Sequence, residues 1–197
     1  MTVMEIVSHT LVGRFATLEP LKLDHIPALW DAGQHDEIWS YMPVRPRSLS
    51  EMSELVTKFV QHGYREFNAP FAIVDSLTNV VVGSSQILDI TFEHRRGEIG
   101  WTWLSPTVWR TAINTECKLL LLSYCFEELG LIRVQLKTDL RNTRSQAAIE
   151  RLGAVREGVL RKHRILSDGY VRDSVYYSIT DDEWPIVKAS LIERLSR

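Results

Sequence analysis

Cysteine is scarce in this chain: two residues in 197, Cys117 and Cys125. On one helix they would stand about 12 Å apart along its axis. A disulfide needs Cα atoms within about 7 Å. A reduced, cytoplasmic protein with structural cysteines is therefore expected. Long apolar runs are missing too. Nothing approaches the roughly 20 residues of a membrane helix, so no membrane partner is expected. The opening MTVMEIVSHTLVGR has no basic segment leading into an apolar run, so no secretory leader is expected. Neither sign of charge dominates. The 23 basic and 25 acidic residues leave a formal charge of -2, which argues against a chain built as a whole to coat nucleic acid. Also absent are GxSxG, HExxH, CxxC and GxxxxGK[ST], so common hydrolase, metalloprotease, zinc-ribbon and P-loop chemistry has no motif. The six histidines, His9, His25, His35, His62, His94 and His163, show no close ligand spacing, and no metal is expected.

What is present reads as one domain, residues 1–197, long enough to bury a core without staples. A first strand is expected over Arg14–Leu18, stopped by Pro20. A short helix follows over Leu23–Ala32 and a helical piece over Glu37–Tyr41. Ser48–Glu66 repeats Met52, Leu55, Phe59 and Val60 near a period of 3.6, with Ser50 as its cap. Strands follow at Pro70–Val74, at Val80–Asp89 with Gly83 as a bulge or kink, and at Glu98–Leu104. Thr111–Leu129 is the strongest helix and ends at Gly130. A strand over Ile132–Thr138, a helix over Asn142–Leu152 and a long hairpin about Ser167-Asp168-Gly169 come next. The last helix, Asp182–Leu195, carries Pro185 in its first turn. Strand–helix–strand around 98–138 requires a crossover, so part of the sheet is parallel. The expected fold is mixed α/β (α+β): a largely antiparallel, seven-stranded sheet with a central parallel pair and helices on both faces.

Two strand-to-helix junctions could carry chemistry. The first is Ser105–Glu116, where Arg110, Thr111, Ala112, Ile113, Asn114 and Thr115 lead into the long helix. A helix start exposes unpaired N–H groups and attracts phosphate. Thr111 or Asn114 could equally be no more than a cap. The second is Asp139–Ser145, where Asn142 is either a cap or a ligand contact. If their strands are parallel neighbours, both junctions open at one sheet edge, where ligands of α/β sheets gather. Glu98, between Gly97 and Gly100, is a candidate general base or else a partner of Arg95 or Arg96. Residues 133–164 hold nine Lys/Arg against three Asp/Glu, either a solvated face or an anion footprint. No aromatic-interleaved basic stretch supports base stacking.

Taken together, GEIGWTWLSP, then NTECKLLLLSYCFEELGLIRVQLKTDLRNTRSQAAIERLGAVREGVLR, and the DGYVRDSVYYSIT hairpin with its following EW helix resemble the GNAT acetyltransferases. The nearer likeness is to the RimJ/RimL-like branch, and LVGRFATLEPLKLDHIPAL and VVVGSSQILDI extend it over nearly the whole chain. The resemblance implies an acetyl-CoA site with no metal. Arg110–Thr115 would hold the pyrophosphate, and the strand edge at Thr102, Trp103 and Leu104 would pair with the pantetheine arm. Asn142 would contact that arm or place the thioester, with Ser145 beside it as a candidate proton source. Basic residues nearby would meet the ribose 3′-phosphate. Two positions depart from the family. Its loop reads Gln/Arg-x-x-Gly-x-Gly/Ala, and here those places hold Trp109, Ala112 and Asn114. Its frequent tyrosine, seven residues past the Asn, is Ile149 here.

The resemblance implies direct transfer. Glu98, through water, would take a proton from the acceptor amine, and strand amides near Trp103 and Leu104 would hold the oxyanion. The acceptor is a protein N-terminal α-amine or a small-molecule amine. Its pocket is expected among the N-terminal helices, at Trp30, Trp39, Tyr41 and the Pro43–Arg47 loop, although core packing would use the same aromatics. A homodimer through the C-terminal hairpin and helix is a further expectation from relatives. The alternatives are transfer of a longer acyl group, a catalytically silent acyl-CoA-binding protein, and a nucleic-acid-binding module using 133–164.

Overall fold

In the computed structural model, residues 9–63, 68–166 and 168–196 are described. The strands are β1 (Leu11–Val12), β2 (Ala16–Pro20), β3 (Ala69–Asp75), β4 (Val80–Thr91), β5 (Arg96–Leu104), β6 (Arg133–Asp139), β7 (Val155–Ile165) and β8 (Val171–Thr180). The helices are α1 (Ile26–Ala32), α2 (Asp36–Trp39), α3 (Leu49–Gly63), α4 (Ala112–Ser123), α5 (Thr143–Arg151) and α6 (Trp184–Leu195). One sheet runs in the order β1-β2-β3-β4-β5-β6-β8-β7, so it has eight strands where seven were expected; the two-residue β1 is the addition. Every neighbouring pair is antiparallel except β5 with β6.

Helices cover both faces. α4, α5 and α6 close one core around Phe71, Ile99, Cys117, Leu121, Leu136 and Tyr177. The N-terminal helices close a second, smaller core around Leu29, Trp39, Met52, Val56 and Trp103. Burying each large aliphatic side chain is worth about 1.5–3 kcal/mol, so the first cluster carries most of the stability.

Several boundaries move for local reasons. Ser48, rather than Ser50, caps α3, its hydroxyl accepting from the Glu51 N–H at 3.2 Å. The expected end of that helix at Glu66 and the turn residue Ser167 lie outside the described residues. Leu23–His25 is a 3-10 turn ahead of α1, and Tyr124–Glu128 winds as a π-helix after α4. Both cysteines are therefore on this continuous helical stretch, buried and unpaired. Gly83 does sit at an irregularity: the β3–β4 register shifts there, and a Cβ would lie 2.1 Å from the Trp103 carbonyl oxygen.

Candidate functional site

The parallel ladder between β5 and β6 is short: Arg96, Gly97 and Glu98 face Arg133, Val134 and Gln135. Beyond it the strands part. Gly100, Trp103 and Leu104 stay paired to β4 alone, and Leu136–Asp139 to β8 alone. A bulge reinforces the parting, since the β4–β5 register slips between Gly100 and Trp103 and Trp101 takes φ +50. The result is a strand edge inside the sheet, open toward the carboxyl ends of two parallel strands. Backbone groups on such an edge need a partner, and an extended ligand can add there like a strand.

Glu98 stands at the apex of this splay and is only 2% exposed. Its Oε2 accepts from Gln135 Nε2 at 2.7 Å and from Lys137 Nζ at 2.6 Å. Its partners thus come from across the sheet. Arg95 instead donates to the Gly130 carbonyl, and the pairing of Glu98 with Arg95 or Arg96 is not found. Oε1 lies over Gly100, where a Cβ would come within 2.9 Å of it, and takes no hydrogen bond among the described residues. Polar contacts continue along β6, β8 and β7. Tyr176 Oη is 3.2 Å from His163 Nε2, and His163 Nδ1 is 2.9 Å from Ser174 Oγ. Burial, then the nearby cations Arg164, Lys137 and Arg172, push the His163 imidazole below its usual range. Gln86, buried opposite Gly100, has an Nε2 with no partner among the described residues.

Two helix starts lie at the same end. Thr111 caps α4, its Oγ1 accepting from the Ile113 N–H at 3.3 Å while donating to the Val108 carbonyl at 2.7 Å. Arg110 takes φ +63, a conformation in which glycine would be unstrained. Asn142 caps α5 through Oδ1, which accepts from the Ser145 N–H at 3.0 Å. Capping thus describes Thr111 and Asn142, and the Asn142 amide keeps its N–H donors. The Arg144 guanidinium lies 3.8 Å from the Trp109 ring centroid, and Trp109 Nε1 donates to the Leu104 carbonyl at 2.8 Å. That chain of contacts ties both helix starts to the end of β5.

The expected acceptor aromatics divide. Trp39 is buried, donates to the Gly33 carbonyl and lies 5.2 Å, centroid to centroid, from Trp103. Trp30 and Trp39 line a depression of about 400 Å³ with Asp36, Arg45 and Arg47. Tyr41 instead reaches the Arg141 guanidinium, which also stacks on Tyr170 at 3.5 Å. Much of the basic run is already committed. Arg133 pairs with Glu157, Lys137 with Glu98 and Arg141 with Asp139. Burial works to raise Asp139, but the Arg141 hydrogen bonds outweigh it and hold the carboxyl below its usual range.

Gln86, Lys137 and Lys118 are not among the residues expected from the sequence. Lys118 lies on α4, 6% exposed, with Nζ donating to Thr102 Oγ1 at 2.6 Å. Thr102 Oγ1 is also 2.7 Å from Ser85 Oγ. The available signal was a lone lysine beside Cys117 and Leu121 on a helix face that must be buried.

Residues 16–155 match the family model described as the acetyltransferase (GNAT) domain. YdaF of Bacillus subtilis (strain 168), provisionally named a ribosomal N-acetyltransferase, is 28% identical over 146 residues, covering 74% of this chain and 78% of that one. A solved structure from T. thermophilus, provisionally titled an acetyltransferase, is 41% identical with a TM-score of 0.83, covering 95% of this chain and 97% of that one. RimL, titled a ribosomal L7/L12 alpha-N-protein acetyltransferase, shares the fold at 20% identity and a TM-score of 0.77, over 87% and 94% of the two chains. With a splayed parallel pair, a buried glutamate at its apex and the match over residues 16–155, the chain belongs to the GNAT family and is an N-acetyltransferase, similar to the ribosomal-protein acetyltransferases named above.

Proposed function

We propose that the protein moves an acetyl group from acetyl-CoA directly to a primary amine, either a protein N-terminal α-amine or a small-molecule amine, within a ternary complex. The observation that carries this reading is the Glu98 carboxylate, buried at the point where β5 and β6 part, with one oxygen held by two donors and the other free. Acetyl-CoA suits the open edge beside it. The pantetheine arm pairs with the strand at Thr102–Leu104. The pyrophosphate meets the first turn of α4 at Arg110–Thr115, where the Ile113 N–H is already taken by Thr111. Asn142 and Ser145 flank the thioester.

The acceptor amine attacks the thioester carbonyl in its neutral form. Glu98 takes its proton through a water, and Gln135 and Lys137 keep the carboxylate pointed into the splay. Amides near Trp103 and Leu104, turned by the bulge, receive the oxyanion. No covalent enzyme intermediate is needed. Burial pushes the Cys117 thiol up to about 11 and raises Cys125 as well, so neither is a nucleophile at neutral pH. The buried, unpaired thiols also agree with a reducing compartment such as the cytoplasm.

Release of free coenzyme A, followed with a thiol reagent across peptides with free N-termini and small primary amines, tests the reading. Amine-dependent release supports it. Acetyl-CoA binding without release for any amine would favour the silent acyl-CoA-binding alternative, which the glycine-free loop and Ile149 also suit.

A further inference from the structure

Five charged residues are buried among the described residues: Glu98, Glu116, Lys118, Asp139 and Arg172. Glu98 is paired with Lys137 and Asp139 with Arg141, and Glu116 is held by backbone amides. Arg172 feels the Asp139 carboxylate, whereas Lys118 has no carboxylate partner among the described residues. The titratable groups that act on its ammonium are Cys117 and Cys125, on its own helical stretch. From the sheet it meets only hydroxyls, Thr102 on β5 and, one step further, Ser85 on β4. A buried ammonium whose neighbours are neutral is costly, and desolvation lowers its pKa from the ordinary lysine value. A purely packing residue at this place would be better apolar.

The position of the chain of hydroxyls gives the charge a use. Ser85 and Lys118 are buried, whereas Thr102 is partly exposed, so Thr102 is the open end. Thr102 lies on the splayed edge, past the bulge, on the side of the sheet that carries α4 and α5. Glu98 and Gly100 lie on the other side of the same strand. The base and this hydroxyl therefore flank the edge from opposite faces. Ile149 on α5 is apolar and buried in the core, so it offers no proton.

We propose that Lys118, working through the Thr102 hydroxyl, provides the proton taken up by the departing coenzyme A thiolate; this rests on the acetyl-transfer reading above. The amine nitrogen bonds to the acetyl carbon, the carbonyl π pair moves to oxygen, and the nitrogen loses one proton through water to Glu98. When the carbonyl re-forms, the carbon–sulfur bond breaks and its electron pair leaves on sulfur. Thr102 gives its hydroxyl proton to the sulfur and receives one from the Lys118 ammonium. Solvent then removes the proton from Glu98 and returns one to Lys118. Lys118 is a positioning residue for this proton, and Thr102 is the group that meets the sulfur.

The test compares wild type, Lys118→Met and Thr102→Val by kcat against pH, acetyl-CoA affinity by calorimetry, and thermal stability. Lys118→Met should lower kcat by about 100-fold, keep acetyl-CoA affinity, and leave Tm unchanged or higher. Wild-type kcat should fall at alkaline pH as the lysine loses its proton, below the ordinary lysine range, and that limb should vanish in Lys118→Met. Thr102→Val, which keeps the lysine, should show the same loss of kcat. Variants that bind acetyl-CoA and retain both wild-type kcat and its alkaline limb would overturn the proposal. So would a Lys118→Met protein that loses only stability. A wild type that acetylates no amine would instead sink the transfer reading itself, before any variant is compared.

Discussion

Glu98 and Glu116 are the two buried glutamates among the described residues, 2% and 6% exposed, yet they sit in opposite kinds of surroundings. Glu116, in the first turns of α4, accepts from the backbone N–H groups of Arg14 at 3.0 Å, Phe15 at 2.5 Å and Ala16 at 2.7 Å. It fastens the start of β2 to the helix, and both its oxygens are spent. Glu98 accepts from two side chains on a single oxygen, at the last paired position before its strand parts from its neighbour. Burial of a charge therefore does not separate structure from function here. What favours Glu98 as the proposed base is the identity of its donors, together with the oxygen left over.

Neutralising each carboxylate in turn should separate their roles. Glu98→Gln should cut kcat by about 10²–10⁴-fold while leaving Tm near wild type, read by steady-state kinetics and calorimetry. Glu116→Ala should do the reverse. Leaving three amides unpartnered, one buried and two partly buried, should cost about 3 kcal/mol, a fall of about 6–12 °C in Tm for a chain of this size, with kcat of the folded protein kept. Gly100→Ala probes the free oxygen of Glu98, because the new methyl would come within 2.9 Å of it; a fall of roughly 10-fold in kcat, about 1.4 kcal/mol, with acetyl-CoA affinity unchanged is the expected result. Asn142→Ala removes a helix cap at a cost of about 1 kcal/mol and should also weaken acetyl-CoA, whereas a cap alone would leave calorimetric affinity untouched.

The smallest effect is a pH dependence of stability. Lys118 has a lowered pKa in the folded chain and an ordinary one when unfolded. Between its lowered folded value and 10.5 the unfolded chain binds the extra proton, so stability rises with pH across that window. Denaturant titrations of wild type against Lys118→Met should show the wild type gaining on the variant as pH climbs through it.

The strand meander, the crossover and the C-terminal hairpin were legible in the sequence because alternation, Gly130 and the Asp168-Gly169 turn are local signals. Glu98 stood out as a candidate, from a carboxylate in a glycine-rich strand. Its partners did not. Arg95 and Arg96 are near in sequence, but Gln135 and Lys137 reach Glu98 only once β6 is laid beside β5. Ser48 took the cap expected of Ser50, a two-residue difference that turns on backbone geometry rather than residue type. Lys118 on α4 was not legible, because periodicity alone takes a lysine as a solvent position, whereas it is buried.

In the proposed reading, acetyl-CoA lies along the edge opened by the parting of β5 and β6. Amide hydrogen exchange with and without saturating acetyl-CoA tests it most directly. Slowed exchange is expected at Trp101–Leu104 and at the first turns of α4 and α5, with α6 unchanged. Binding that protects another part of the chain and leaves Trp101–Leu104 exchanging as before would contradict it.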